Sequence, residues 1–174
     1  MKRRGFTIIE LAMVLLVLSV MALFMVPAIG RWIDNYRLKQ AARGVVSDLQ
    51  FAKIKAMSLG HFCTITFAST GYTIFDDANN NYWQDNPDEE PDGEKTLKRV
   101  AISDQYKHVV FDSTRSDPDG VDISGDVLAF TARGLPMLTG GAVGMGSIYL
   151  RHTRTNKCQR VRIVQAGRIR ITEH

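Results

Sequence analysis

Residues 1–30 read MKRRGFTIIELAMVLLVLSVMALFMVPAIG, and from Phe6 to Ile29 the run is apolar with one carboxylate inside it, Glu10. A run of this length can cross a bilayer as a helix. An ionisable side chain at that depth costs about 2.5–3.5 kcal/mol even on lenient insertion scales, so Glu10 marks a function. Lys2, Arg3 and Arg4 precede the run with no acidic residue among them, which puts the N-terminus on the cytoplasmic side. A secretory signal peptide starts in a similar way, but its apolar core is shorter and ends at small residues. Here Pro27-Ala28-Ile29-Gly30 leads straight into Arg31 and Trp32. A plain single-pass anchor accounts for the length and the flanking charge but leaves Glu10 without a cation.

A buried carboxylate must be paired or neutralised. No Lys, Arg or His lies between Phe6 and Ile29. Cutting the chain after Gly5 would supply the missing cation, because Phe6 would then carry a free α-amino group. Glu10 follows Phe6 by four residues, about one helical turn. The amine can come from the same chain or from a neighbouring copy one step along. The second arrangement makes Glu10 a register device, the best-attested use of a buried ion pair.

Gly5-Phe6-Thr7-Ile8-Ile9-Glu10 resembles the class III processing signal of type IV pilins and pseudopilins. The resemblance implies a leader of residues 1–5 removed after Gly5 by a prepilin peptidase, followed by N-methylation of Phe6. It also implies that Glu10 and Pro27 serve assembly. Residues 6–29 are then a helix that lies first in the inner membrane and later in the core of a filament. The implied partners are other pilins or pseudopilins and the inner-membrane assembly machinery.

The helix is expected to continue over residues 30–60. After Trp32, apolar residues recur at Leu38, Ala41, Ala42, Val45, Leu49, Ala52, Ala56 and Leu59, the period of an amphipathic helix. Gly60 is a natural stop, and Pro27 and Gly44 are the weak points. Residues 61–174, about 115 in number, suffice for one periplasmic domain. HFCTITF and YTIFDD flank a hairpin signal at Ser69-Thr70-Gly71, and LKRVAI, HVVFD, VLAFT, SIYLRH, QRVRIV and GRIRI follow. One long helix and then a run of strands argues α+β, with an antiparallel sheet covering the helix stripe. This agrees with the pilin-like fold that the resemblance implies.

The formal net charge is +4, but it is segregated. Residues 76–94 hold eight acidic and no basic side chains, while Arg151 to Arg170 holds seven Lys and Arg and no acid. Such asymmetry points to two surface roles. Cys63 and Cys158 are the only cysteines. Outside the cytoplasm they can form a disulfide between an early and a late strand; the alternative is two buried thiols acting as small hydrophobes.

The acidic segment contains Asp77-x-Asn79-x-Asn81-x-Trp83-x-Asp85-x-x-Asp88. Oxygen ligands at alternate positions with a carboxylate at the twelfth resemble an EF-hand-type calcium loop. Tyr82 stands where that loop has glycine, and Asp88 is shorter than the usual glutamate. A solvated acidic loop is the competing reading. In the tail, alternation puts Arg160 and Arg162 on one face, and likewise Arg168 and Arg170. Four guanidinium groups on neighbouring strands would suit the phosphates of DNA, although a solvated face or acidic neighbours in an assembly would suit them too.

Phe130-x-x-x-Gly134 and Gly167-Arg168-Ile169-Arg170 resemble the GspH/FimT family of minor pilins and pseudopilins. In FimT-type members a terminal glycine-arginine-x-arginine motif is associated with DNA binding during natural transformation, which implies that role for Arg168 and Arg170; Arg160 and Arg162 extend it by geometry. The same family implies an alternative, a GspH-type minor pseudopilin of type II secretion with no DNA role. No nucleophile motif or phosphate loop occurs, and His61, His108, His152 and His174 lack ligand spacing. A structural subunit is expected, not an enzyme.

Overall fold

The computed structural model describes residues 7–85, 94–116 and 120–173, apart from the side chains at 24, 26–28 and 173. Helix α1 spans Ile8–Leu59, 52 residues, or about 80 Å at ~1.5 Å per residue. Thr7 caps its start and Gly60, in the left-handed region at φ 82°, ends it with its N–H on the Ala56 carbonyl. The helix passes through Pro27 and Gly44 without a break in its assignment. At Gly44 the bare backbone admits the Tyr106 hydroxyl, which a Cβ there would overlap.

The two halves of α1 have opposite surroundings. The seven apolar positions Leu38, Ala41, Ala42, Val45, Leu49, Ala52 and Ala56 are all buried, whereas Leu59, expected on the same stripe, is exposed. In the first half, side chains from Ile8 to Leu23 stand in the open, Ile8 90 % and Leu23 75 % exposed. Among the described residues no helix is long and apolar enough to cross a membrane; the side chain of Pro27 lies outside the description.

Among the described residues ten strands follow: β1 (Phe62–Ala68), β2 (Gly71–Asp77), β3 (Thr96–Ala101), β4 (Val109–Phe111), β5 (Val121–Asp122), β6 (Val127–Phe130), β7 (Pro136–Leu138), β8 (Gly146–His152), β9 (Cys158–Ile163) and β10 (Ile169–Glu173). A single helical turn, α2 (Ile102–Gln105), links β3 to β4. One sheet has the order β3-β2-β1-β6-β7; the other runs β10-β9-β8-β4, with β5 also on β8. All pairings are antiparallel. Each expected strand is present. The sequence reading lacked β5, which is two residues long, and β7, which opens on a proline tolerated only because β7 is an edge.

The core joins the helix stripe to both sheets, with Ile65, Ile74 and Phe130 from the first and Ile148, Val161 and Ile163 from the second. Burial of such side chains stabilises by about 1.5–3 kcal/mol each. The four alanines on the stripe let the sheets approach the helix closely. Polar clamps fix its rotation. Asp48 accepts the Tyr72 hydroxyl at 2.7 Å and the Lys98 ammonium at 2.6 Å. Asp34, buried near the exposed half, faces Arg37, His152 and Arg154 at 3.4–3.7 Å.

The expected disulfide is not formed. Cys63 lies in β1, opposite Asp76 and Phe130, and belongs to the core. Cys158 lies in the other sheet and its thiol donates to Asp112 Oδ2 at 3.1 Å. Both are buried free thiols. Burial, with the charges of Asp76 and Asp77, pushes the Cys63 thiol up to about 12; burial and the Asp112 bond push Cys158 upward as well. Since the thiolate is the reactive form, neither should react while folded. Iodoacetamide in non-reducing buffer should label neither cysteine in the folded protein and both after denaturation. Labelling that needs prior reduction would restore the disulfide.

Candidate functional site

Three sites emerge from the sequence reading. The first is the start of α1. Gly5 and Phe6 lie outside the described residues. Glu10 accepts the Thr7 N–H at 2.9 Å and the Thr7 hydroxyl at 3.0 Å on the same oxygen, Oε2, while its own N–H meets Thr7 Oγ1 at 3.3 Å. This reciprocal pair is a capping box, whose signature is a threonine followed three residues later by glutamate. The sequence reading passed over this box although its Thr7-x-x-Glu10 spacing is local, and the box gives the carboxylate a partner beside the expected amine.

The second site is the β9–β10 hairpin. Arg162 stands directly opposite Arg170, and Arg160 opposite Thr172. Val164 N–H reaches the Arg168 carbonyl and Gly167 N–H the Val164 carbonyl, so the turn extends the same ladder. Arg162, Arg168 and Arg170 therefore converge on one exposed cleft of about 250 Å³, shared with Val164 and Thr172. Among the described residues none of these three guanidinium groups has an acidic partner. Arg160 shares the face but is committed elsewhere: its Nε and Nη2 donate to Ser147 Oγ at 3.0 and 2.8 Å, and it lies over the Tyr149 ring. Arg151 and Arg154 are likewise tied, to Asp112 and Asp34. Burial pushes the Asp112 carboxyl upward, but bonds from Thr114 and Cys158 and the Arg151 charge outweigh it and hold the group below its usual range.

The glycines of the tail motifs meet in space. Gly167 is buried at φ 71°, and a Cβ on it would lie 2.7 Å from the Gly134 carbonyl oxygen. Lys53 of α1 donates to the Gly167 carbonyl at 3.0 Å. Gly167 thus seats the hairpin on the β6–β7 turn and the helix, which fixes where Arg168 and Arg170 project. A side chain there would be strained on both counts. Lys53 gave no functional signal in the sequence, because its partner is 114 residues away; Gly134 stood in a motif, but its meeting with Gly167 was not readable there.

The third site is the loop after β2. Asp77 is fully buried and accepts from the Thr64 hydroxyl at 2.7 Å and from the Asn81 and Tyr82 N–H groups at 3.0 Å. Asp85 Oδ2 takes the side-chain amides of Asn79 and Asn81 at 2.7 and 2.6 Å. Asp88 lies outside the described residues. Glu94, which the sequence reading passed over, packs against the loop, its Oε2 accepting the Asp85 N–H at 3.1 Å. Burial pushes the Glu94 carboxyl above its usual range, N–H bonds from Asp85 and Asn79 pull it back, and the charges of Asp77 and Asp85 oppose its ionisation. Among the described residues no three His, Cys, Asp or Glu form a ready-made metal group.

A long helix, bare and apolar over its first half and seated on antiparallel sheets over its second, defines a pilin-like subunit. The family described as "Type II transport protein GspH" matches residues 41–167, and the chain belongs to that family. Among solved structures, the type IV minor pilin FimU of Pseudomonas aeruginosa PAO1 is similar, with 18 % identity and a TM-score of 0.52 over 79 % of this chain and 90 % of that one. The minor pseudopilin EpsH from the type 2 secretion system of Vibrio cholerae matches at 14 % identity and a TM-score of 0.45, over 79 % of this chain and 97 % of that one. No curated protein matches the chain.

Proposed function

We propose that the chain is a minor subunit of a type IV pilus. In this reading it is made as a precursor, cut after Gly5, methylated on Phe6 and held in the inner membrane by residues 6–29. It then enters a filament with the β domain facing outward. The observation that carries the proposal is the contrast within α1: Ile8–Leu23 leaves its apolar side chains uncovered, while the stripe from Leu38 to Ala56 is buried in the chain's own domain. A bare apolar helix needs lipid or other helices around it, and a filament core of equivalent helices supplies them. Glu10 then trades solvent for the Phe6 amine of a neighbour, with the Thr7 cap holding its rotamer.

The same domain supports a DNA-binding role through Arg162, Arg168 and Arg170. Three unopposed guanidinium groups on a rigid hairpin suit phosphate oxygens, and the Gly167-Arg168-Ile169-Arg170 motif resembles that of FimT-type members. A second reading, a minor pseudopilin of type II secretion without a DNA role, is favoured by the name of the family itself. In that reading the arginines meet acidic side chains of neighbouring subunits.

Mass spectrometry of protein from membranes that contain a prepilin peptidase should find an N-terminus at methylated Phe6. Glu10→Ala should still insert into membranes yet be lost from sheared filaments; an intact Met1, or normal incorporation of the variant, would refute the assembly reading. DNA binding is tested separately. Backbone contacts carry no sequence information, so affinity should be indifferent to sequence and fall with salt at a log–log slope of about −0.9 per neutralised phosphate. Arg168→Gln with Arg170→Gln should flatten that slope by up to about two. Lys95→Gln with Lys107→Gln, exposed sites elsewhere on the domain, should not. Equal losses from both pairs would indicate diffuse attraction only.

A further inference from the structure

The loop Asp77-x-Asn79-x-Asn81-x-Trp83-x-Asp85 winds on itself. Asp77 accepts N–H groups from the fifth and sixth positions, Asn81 and Tyr82, while Asn79 accepts from Asn81 and Asn81 from Trp83. Two non-glycine residues, Asn80 and Tyr82, adopt positive φ, 60° and 72°. Tyr82 thus makes the sharp turn for which calcium loops use glycine, with its ring against Phe62 at 5.6 Å. A plain turn can be built in this way, so the winding alone decides nothing.

The deciding observation is Glu94. It is 5 % exposed, and its carboxylate reaches back into the loop: Oε2 takes the Asp85 N–H, the Asn79 N–H lies near the same carboxylate, and Oε1 is buried with no hydrogen-bond partner among the described residues. An unsatisfied buried polar group is costly, and more so when charged. The charges of Asp77 and Asp85 act on it, although among the described residues these three carboxylates are not already drawn together as a metal group. All donors at this point are oxygens, and asparagine and main-chain carbonyls are as good ligands for calcium as carboxylates are, which a count of acidic and histidine side chains omits. The absence of thiol or imidazole argues against zinc.

We propose that Asp77, Asn79, Asn81, the Trp83 carbonyl, Asp85 and Glu94 bind one calcium ion, and that Glu94, not Asp88, is the carboxylate that closes the site. The set provides about six or seven oxygens, the number calcium takes. Asp85 and the two asparagine amides turn toward the ion, and the ion ties the end of β2 to the start of β3. Glu94 stands seventeen positions after Asp77, beyond the spacing of the twelve-residue loop, and for that reason the sequence pattern pointed to Asp88.

The test uses the full chain in detergent micelles, stripped with chelator, with thermal unfolding and terbium luminescence as readouts. Calcium at about 1 mM, the weak end of the known range, should raise the melting temperature, as mass action requires, where sodium at equal ionic strength does not. Terbium should bind competitively and be sensitised by Trp83; Trp83→Phe should remove the luminescence and keep the calcium-dependent stabilisation. Glu94→Gln should weaken calcium binding by at least about tenfold, since even outer-sphere changes cost that much. Asp85→Asn, a change at an exposed residue, should weaken it without disturbing the core, and Asp88→Asn should leave it unchanged. No stabilisation by calcium overturns the site, and loss of binding in Asp88→Asn with Glu94→Gln unaffected overturns the assignment of Glu94.

Discussion

The structure depends on the seating of one helix stripe against two sheets. Leu38, Ala41, Ala42, Val45, Leu49, Ala52 and Ala56 form the surface on which both sheets rest, so neither sheet has a complete core without α1. Small residues at four of these positions bring backbone to backbone, and Leu38, Val45 and Leu49 fill the space between. Of the polar clamps, Asp34 lies before the apolar stripe and Asp48 within its length. Asp48 ties the helix to β2 and β3, and Asp34 ties it to His152 and Arg154 around the β8–β9 connection. Because α1 is assigned as one helix from Ile8 to Leu59, fixing the domain on its second half also sets the direction in which the bare first half leaves.

The two charged surfaces hang on this frame in different ways. The arginine hairpin is held at Gly167, which packs closely on the Gly134 carbonyl and accepts a bond from the Lys53 ammonium, and this sets where its guanidinium groups project. The acidic loop is held by its own side chains, with Asp77 buried beneath it and Glu94, just before β3, accepting the Asp85 N–H. Segregation of charge therefore reflects two separate devices on two sheets. Of the seven basic residues near the C-terminus, Arg151, Arg154 and Arg160 serve the fold, and this internal use distinguishes them from Arg162, Arg168 and Arg170.

Local patterns in the sequence carried the helix, its Gly60 stop, the apolar stripe and eight of the ten strands, because each of those rests on periodicity or on a turn residue. The proposed processing signal rests on the same kind of pattern, a compact spacing of Gly5, Phe6 and Glu10. The family match covers residues 41–167 and so does not include that signal, which stands on its own residues. What could not be read was distant in the chain. Sheet membership separates Cys63 from Cys158, Gly134 meets Gly167 across 33 positions, Arg160 turns to Ser147, and Glu94 returns to Asp77. Each depends on strand pairing, which a one-dimensional pattern does not encode. Thr7 is the exception, since its capping box with Glu10 lies within four residues and was still passed over.

The central claim is that the bare half of α1 is covered by other helices of the same kind in an assembled filament. Site-specific photo-crosslinking from Leu16 tests it most directly, since Leu16 is 67 % exposed on the isolated chain. In sheared filaments a probe at Leu16 should give a protein–protein adduct with the N-terminal helix of another subunit, while the same probe at Asp104, exposed on α2, should not. Adducts from Leu16 that contain lipid alone, or a filament fraction that lacks the protein, would contradict the account.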